Sequence, residues 1–219
     1  MTNLKRLYLL SEAEIDELYA RPIFNQEERV LYFDLNKAEL DALGQLTTTK
    51  TRLYFILQLG YFKAKHQFFT FNLDEVNDDV TFLLNHFFHE PQLEMVGCIA
   101  RNSISLQKQM IIKLFDYKEW SSQQALITEI HVCELLRFYP KGHDTLRQLL
   151  SSFDSQHIIL PTYRTLQDLF TRSFATEDKR LDDLMQLIPD ELQKKLIALV
   201  SKGDGLAELN IIRADQKNF

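Results

Sequence analysis

The residues best suited to chemistry in this sequence are two histidines, His86 and His89, and two cysteines, Cys98 and Cys133. The histidines are three positions apart, so on a helix they would share a face and could hold a metal ion. A zinc site needs three or four protein ligands, and the sequence has no cysteine pair or further histidine cluster to supply the others. The cysteines lack the partners of a nucleophilic pair and are typical of buried thiols. We therefore predict no metal, no cofactor and no catalytic residue.

Phosphate-binding loops, dinucleotide-binding loops and serine nucleophile motifs are also missing from the sequence. The chain has 31 acidic residues, but no spacing among them singles out a catalytic pair. These absences predict that the chain is not an enzyme.

Basic residues fall in two windows that contain no Asp or Glu, residues 46–73 and 95–115. Both windows also contain hydroxyl or amide side chains, which together with cations suit contacts with phosphates and base edges. A solvated helix face would give the same pattern, so both interpretations stay open. The candidate DNA-contacting residues of these windows are Lys50, Arg52, Lys63, Lys65, Arg101, Gln107, Lys108 and Lys113.

The net charge of −6 taken alone counts against a nucleic-acid partner. It averages two unlike regions, however, because residues 12–41 hold nine acids and only three bases. We therefore expect modest DNA affinity. A continuous basic face of Arg52, Lys63, Lys65 and Arg101 would favour DNA, whereas scattered cations beside an exposed apolar patch would favour protein binding.

A third candidate region covers residues 157–166, where a short apolar stretch precedes a new helix. In a helix-turn-helix motif the second helix reads bases with its first residues, which here are Thr162, Tyr163 and Arg164. An ordinary helical hairpin with Thr162 as a cap explains the pattern equally well.

The elements that position these residues are predicted to be helices. The chain has 6 glycines and 5 prolines in 219 residues, less than half of the usual share of about 12%. The prolines fall between stretches with a helical apolar period, which predicts an all-α array. Gly60 inside one helix indicates close helix packing, and only residues 157–160 look strand-like. The predicted helices are residues 11–21, 25–33, 36–44, 48–65, 74–89, 103–115, 121–138, 144–153, 162–174, 176–188 and 190–201.

We expect two units, an N-terminal helical DNA-binding unit over residues 1–118 and a second helical unit over residues 119–219 with the helix-turn-helix-like segment. No apolar run reaches the roughly 18 residues of a membrane span. The first 20 residues carry several charges, unlike a secretory signal. With only two cysteines, a reduced cytoplasmic location is expected.

Three sequence blocks resemble replicative transposases of the Tn-three family. Residues 52–63, followed by Phe68 and Phe69, are similar to an RLxFxLQLxxLRxxGRF-like block near the family's start. Residues 9–14 resemble that family's first residues, and residues 158–169 resemble its later I-x-LP-xxx-TL-xxL block. The blocks occur in the family's order and at about its spacing.

The resemblance implies tandem helix-turn-helix-like units that bind the terminal inverted repeats of a transposon as double-stranded DNA. In that family, catalysis belongs to a later ribonuclease-H-like domain with three carboxylates and two magnesium ions, and this chain is expected to stop before it. The partners expected are therefore DNA and the remainder of a longer transposase, or a second copy of the chain.

An alternative is a helical protein-interaction module or a regulatory remnant of a transposase. In that case the acidic first 41 residues and a surface of aromatic residues would dock the partner. The aromatic residues in question are Phe68, Phe69, Phe71, Phe87 and Phe88.

Overall fold

The computed structural model describes residues 7–88 and 99–201 of the chain. Within these ranges the fold is all-α, as predicted, and no strand is formed. Its helices are α1 (Glu12–Tyr19), α2 (Gln26–Phe33), α3 (Lys37–Gly44), α4 (Thr49–Lys65), α5 (Asn77–Leu83), α6 (Arg101–Phe115), α7 (Ser122–Leu136), α8 (Gly142–Ser155), α9 (Tyr163–Gln186) and α10 (Asp190–Ser201).

Polar side chains at the first residues fix where the early helices begin. At α1, the Ser11 hydroxyl accepts from the backbone N–H of Glu14, and the Glu14 carboxylate accepts from the backbone N–H of Ser11. The same reciprocal capping box starts α2 at Asn25 and α3 at Asn36. Each box satisfies backbone donors that a helix start leaves unpaired, so these starts agree with the sequence prediction.

Three predicted helices differ from the structure. Residues 162–174 and 176–188 were expected to form separate helices, but α9 is continuous. Within it the Thr176 hydroxyl donates to the Arg172 carbonyl and does not cap a new helix. The predicted helix 74–89 is divided, because the backbone of Val76 leaves the helical region between a 3-10 turn and α5. A π turn follows over Leu84–Phe88.

Buried apolar side chains form two clusters. The first comes from residues 24–117 and is centred on α4, where every residue from Leu53 to Phe62 is buried. The second combines Leu9 with side chains of α7, α8 and α9 and with Ile158, which lies between α8 and α9. We keep the boundary near residue 118 as a proposal, and the division into two clusters supports it. Unlike the prediction, the N-terminal segment packs on the second unit, because Leu9 belongs to the second cluster.

Close packing at Gly60 is confirmed. A Cβ atom at this position of α4 would lie 2.4 Å from ring carbons of Phe33 in α2, so only glycine lets the two helices approach this closely.

Residues 7–19 connect the two units. The Tyr163 hydroxyl at the start of α9 accepts from the backbone N–H groups of Leu9 and Leu10, at 3.1 and 3.2 Å. Tyr19 in turn donates to the Pro161 carbonyl, and Gln67 of the first unit donates to the Leu18 carbonyl. The N-terminal segment is therefore held by side chains from both units.

Across residues 7–88 and 99–201, no helix has both the length and the apolar character that crossing a bilayer requires.

Candidate nucleic-acid interface

The basic residues of α4 are largely engaged inside the fold. The Arg52 guanidinium donates to the Leu46 carbonyl at 2.7 Å. The Lys63 ammonium donates at 2.8 Å to the carboxylate of Glu39, which is only 2% exposed. It also donates to the carbonyl of Asp34.

Lys65, at the end of the same helix, donates to the Glu17 carbonyl of α1, and Lys50 at its start is half-buried. Of these contacts, only that between Lys63 and Glu39 joins a base of α4 to an acidic side chain of the acid-rich first residues. Helix α4 therefore does not present the continuous basic face that would favour DNA binding.

The second basic window divides into buried and exposed residues. Gln107 is only 1% exposed and donates to the Thr51 carbonyl at 2.9 Å, which attaches α6 to α4 and places this amide out of reach of a surface ligand. The Lys108 ammonium lies 5.2 Å from the Phe68 ring centre, and burial lowers the pKa of this lysine. Arg101 and Lys113 are exposed at the two ends of α6.

The start of α9 has the features of a helix end open to an anion. Thr162 is exposed and caps the helix by accepting from the Thr165 N–H, and the first turn contains no acidic residue. Arg164 is also exposed. Tyr163 differs from the prediction, because its hydroxyl binds the backbone of Leu9 and Leu10. The positive end of the α9 helix dipole therefore lies at the surface, with Thr162 and Arg164 beside it.

A single backbone bridge brings the end of α6 to the start of α9. The Lys118 N–H donates to the His157 carbonyl at 2.7 Å, and the Ile159 N–H donates to the Lys118 carbonyl at 3.0 Å. This bridge uses the stretch that looked strand-like in the sequence. It places exposed Lys118 next to the turn that leads into α9.

We call Lys113, Lys118, Thr162 and Arg164 the basic edge. Lys118 was not among the predicted DNA-contacting residues, because its position beside the start of α9 depends on a pairing between distant segments. The short strand-like stretch 157–160 was the available signal, since a strand needs a partner. Exposed acids also lie near this edge, at Asp116 and at Glu119, which accepts from Gln109.

The other candidate residues do not form a reactive site among the described residues. Burial raises the pKa of the Cys133 thiol, whose sulfur donates to the Ser173 carbonyl, so its reactive thiolate is disfavoured. His86 is exposed and stacks on Phe82. His89 and Cys98 lie outside the described ranges. Residues 7–88 and 99–201 contain no group of three metal-ligating side chains.

The predicted aromatic docking surface is wrong for two of its five residues. Phe69 and Phe71 are buried in the first cluster, and Phe68, Phe87 and Phe88 pack against it with part of their surface exposed. Several of these rings have aromatic neighbours within the cluster, such as Tyr54 against Phe71 at 4.8 Å.

A groove lies where the two units meet the N-terminal segment. It has a volume of about 520 Å³, and leucines from α1, α8 and the segment before α1 line it together with charged side chains. We call it the junction groove. Its lining includes Leu10, Leu18, Leu146, Leu150, Lys65 and Arg147.

Glu14 lies at this groove and connects two helices. Hydrogen bonds from the Ser11 backbone and hydroxyl, and then one from His143 of α8 at 3.0 Å, lower the pKa of Glu14 to about 2. Because this pKa is lower in the folded chain, the resulting stability is present above pH 4.5 and is lost as the pH falls toward 2.

Replacing Glu14 by Gln should therefore flatten the decline of unfolding free energy between pH 4.5 and 2. Urea unfolding at a series of pH values would measure this decline, with Glu12→Gln, two positions away and exposed, as the control. An unchanged pH profile in the Glu14 variant would contradict the assignment.

Comparison with known proteins gives one family. The profile of the family described as "Domain of unknown function (DUF4158)" matches residues 9–173. No curated protein matches the chain. The matched range covers both buried clusters, the junction groove and the basic edge, and it ends within α9. Since it also covers most of the 219 residues, the chain belongs to the DUF4158 family.

Proposed function

We propose that this chain binds double-stranded DNA through the basic edge, as the N-terminal part of a transposase that binds terminal inverted repeats. The observation that carries the proposal is the Lys118–Ile158 bridge, which brings the exposed Lys118 next to the turn that leads into the exposed start of α9. The resemblance of three sequence blocks to Tn-three transposases supports the same function.

The second unit supports a reading role for α9. Helices α7, α8 and α9 share one buried cluster, in which Leu146 of α8 and Leu166 of α9 are almost fully buried. This cluster fixes the start of α9, while Arg164 remains exposed there. An arginine on the first turn of a helix can bond guanine in the major groove, and a helix N-terminus favours phosphate.

The proposed contacts have different expected consequences. Lys113 and Lys118 would neutralise phosphates, so each should contribute about −0.9 to the slope of log affinity against log salt. Replacing either by alanine should weaken all DNA sequences alike and reduce the slope by that amount. Arg164→Ala should instead relax sequence preference at one or two base pairs, at a cost of about 1–3 kcal/mol.

Fluorescence anisotropy with a random-sequence duplex would measure the salt slope, and selection from duplexes with randomised cores would measure sequence preference. Lys194→Ala is the matched control, because this exposed lysine of α10 lies beyond the far end of α9. Absence of binding at low salt would refute the proposal. If neither Lys113→Ala nor Lys118→Ala changes the salt slope, the basic edge does not bind the DNA.

Protein interaction is a second candidate, favoured by apolar side chains that the fold leaves exposed. On α7, Leu126 is 66% exposed and Ile130 is 64% exposed. Other exposed leucines follow Glu177 in α9. If the chain shows no salt-dependent DNA binding but forms a stable protein complex, this function replaces the first.

A further inference from the structure

Helix α6 differs from the other helices because it has an exposed face without acidic residues. Of helices α1 to α10, only α4 and α6 contain no Asp or Glu. No residue of α4 is exposed, whereas α6 has exposed residues in each of its turns up to Lys113. In a chain with 31 acidic residues and a net charge of −6, this face of α6 does not repel a polyanion as the acid-bearing helices do.

The exposed face of α6 is made of side chains that can read base edges. Its residues follow one another at spacings of three, one, three and four positions, which places them on one side of a helix. They are Asn102, Ser105, Leu106, Gln109 and Lys113, and all five are exposed. Gln107 and Ile111 lie on the opposite side, where both are buried, so the direction in which the exposed face points is fixed.

The polar groups of this face remain available to a ligand. Within residues 7–88 and 99–201, the side chains of Asn102 and Ser105 form no hydrogen bond. Gln109 donates one N–H to the Glu119 carboxylate at 3.0 Å, which leaves its second N–H and its carbonyl oxygen. Leu106 lies between the two amides in sequence and is 58% exposed. The face thus presents two amides and one apolar side chain.

The bond between Gln109 and Glu119 also places this face beside the basic edge. Glu119 directly follows Lys118, and Lys113 lies one turn beyond Gln109 on the same face. A duplex bound at the basic edge therefore lies next to the exposed face of α6. The Asp116 and Glu119 carboxylates offset part of the positive charge at this end, so the neutral side chains of α6 would add sequence preference more than affinity.

The spacing along α6 matches the spacing of base pairs. Asn102 and Gln109 are seven residues apart, or about 10.5 Å along the helix, which is about three base-pair steps of about 3.4 Å. Asn and Gln can each form two hydrogen bonds with N6 and N7 of adenine in the major groove, which admits an α-helix. An apolar side chain can contact the C5-methyl group of thymine there.

We propose that α6 is a second reading helix, which enters the major groove and bonds adenines through Asn102 and Gln109, with Leu106 against a thymine methyl group. This inference rests on the proposed function, since it requires that the chain bind double-stranded DNA. It adds a preference for A·T pairs, at positions different from those read by Arg164.

The test uses the full 219-residue chain and a duplex selected from a pool with a randomised core. Selection should return an A·T pair at each position that α6 reads. Asn102→Ala and Gln109→Ala should each weaken the selected duplex about five- to hundredfold and relax the preference for adenine at one position. Neither should change the salt slope or the affinity for a random-sequence duplex, because neither side chain carries a charge.

Base analogues identify the atoms in contact. 7-Deazaadenine lacks the N7 acceptor but still pairs with thymine, so at the position read by Asn102 it should weaken binding of the unmodified chain and not of Asn102→Ala. Deoxyuridine lacks the C5-methyl group of thymine. It should weaken binding of the unmodified chain and not of Leu106→Ala.

Gln26→Ala is the matched control, because this exposed glutamine begins α2, a helix with acidic residues in its first turn. It should change neither affinity nor preference. Far-UV circular dichroism equal to that of the unmodified chain confirms that each variant is folded. If the chain binds no duplex at low salt, the proposed function fails and the reading role of α6 fails with it. If Arg164→Ala relaxes sequence preference but the α6 variants do not, or if they weaken all sequences alike, only the reading role of α6 is overturned.

Discussion

Replacing Asp79 by alanine is expected to lower the free energy of unfolding by about 3 kcal/mol. The Asp79 carboxylate is 5% exposed and accepts from Arg29 Nε at 2.7 Å and from the Tyr61 hydroxyl at 2.6 Å, with Arg21 at 3.9 Å. Its removal leaves a mostly buried guanidinium and a buried phenol without their acceptor, which costs far more than a lost surface contact.

Urea unfolding measures this loss, and the neighbouring residue provides the control. Asp78 also faces Arg29, at 3.7 Å, but its side chain is 85% exposed. Asp78→Ala should therefore cost less than about 1 kcal/mol. Equal losses for the two variants would show that burial of the Asp79 carboxylate does not determine its contribution to the free energy of unfolding.

Gly60→Ala is expected to lower the free energy of unfolding by about 1–2 kcal/mol, although alanine is the better helix former by about 1 kcal/mol. The added methyl group would lie 2.4 Å from the Phe33 ring, and Phe33 is only 1% exposed, so neither helix can yield easily. The loss should shrink in a Phe33→Leu background, where the ring is absent.

Gly44→Ala is the control for this effect. Gly44 ends α3, and a Cβ atom there would have no neighbour within 4 Å. The same substitution should therefore leave stability unchanged or raise it by up to about 1 kcal/mol. Equal destabilisation at both glycines would exclude contact with Phe33 as the cause. Thermal unfolding followed by circular dichroism measures both variants.

The parts of this fold that could be predicted from sequence are those with local causes. The start of α1 depends on Ser11 and Glu14, three positions apart, and the starts of α2 and α3 depend on similar pairs. The continuity of α9 was missed because the sequence does not show whether Thr176 caps a helix or bonds within one. Both are common for threonine, and the packing of α9 along α7 decides between them.

The candidate site was harder to predict because charge in sequence does not reveal pairing in space. Lys63 and Glu39 lie 24 positions apart, yet their ion pair removes that lysine from the surface. Tyr163 looked like a base-reading residue, and its hydroxyl instead binds Leu9 and Leu10, more than 150 positions away. Arg164 and Lys113 remain exposed as the DNA hypothesis requires.

The attachment of Leu9 and Leu10 to α9 also sets an order for folding. The first buried cluster draws on residues 24–117, so it can close before the rest of the chain has been synthesised. The second cluster needs Leu9 together with residues 132–170, and a contact of such high sequence separation is slow to form. The N-terminal segment can therefore reach its final contacts only after most of the chain has been synthesised. A fragment that begins at residue 119 would lack Leu9, a buried side chain of the second cluster.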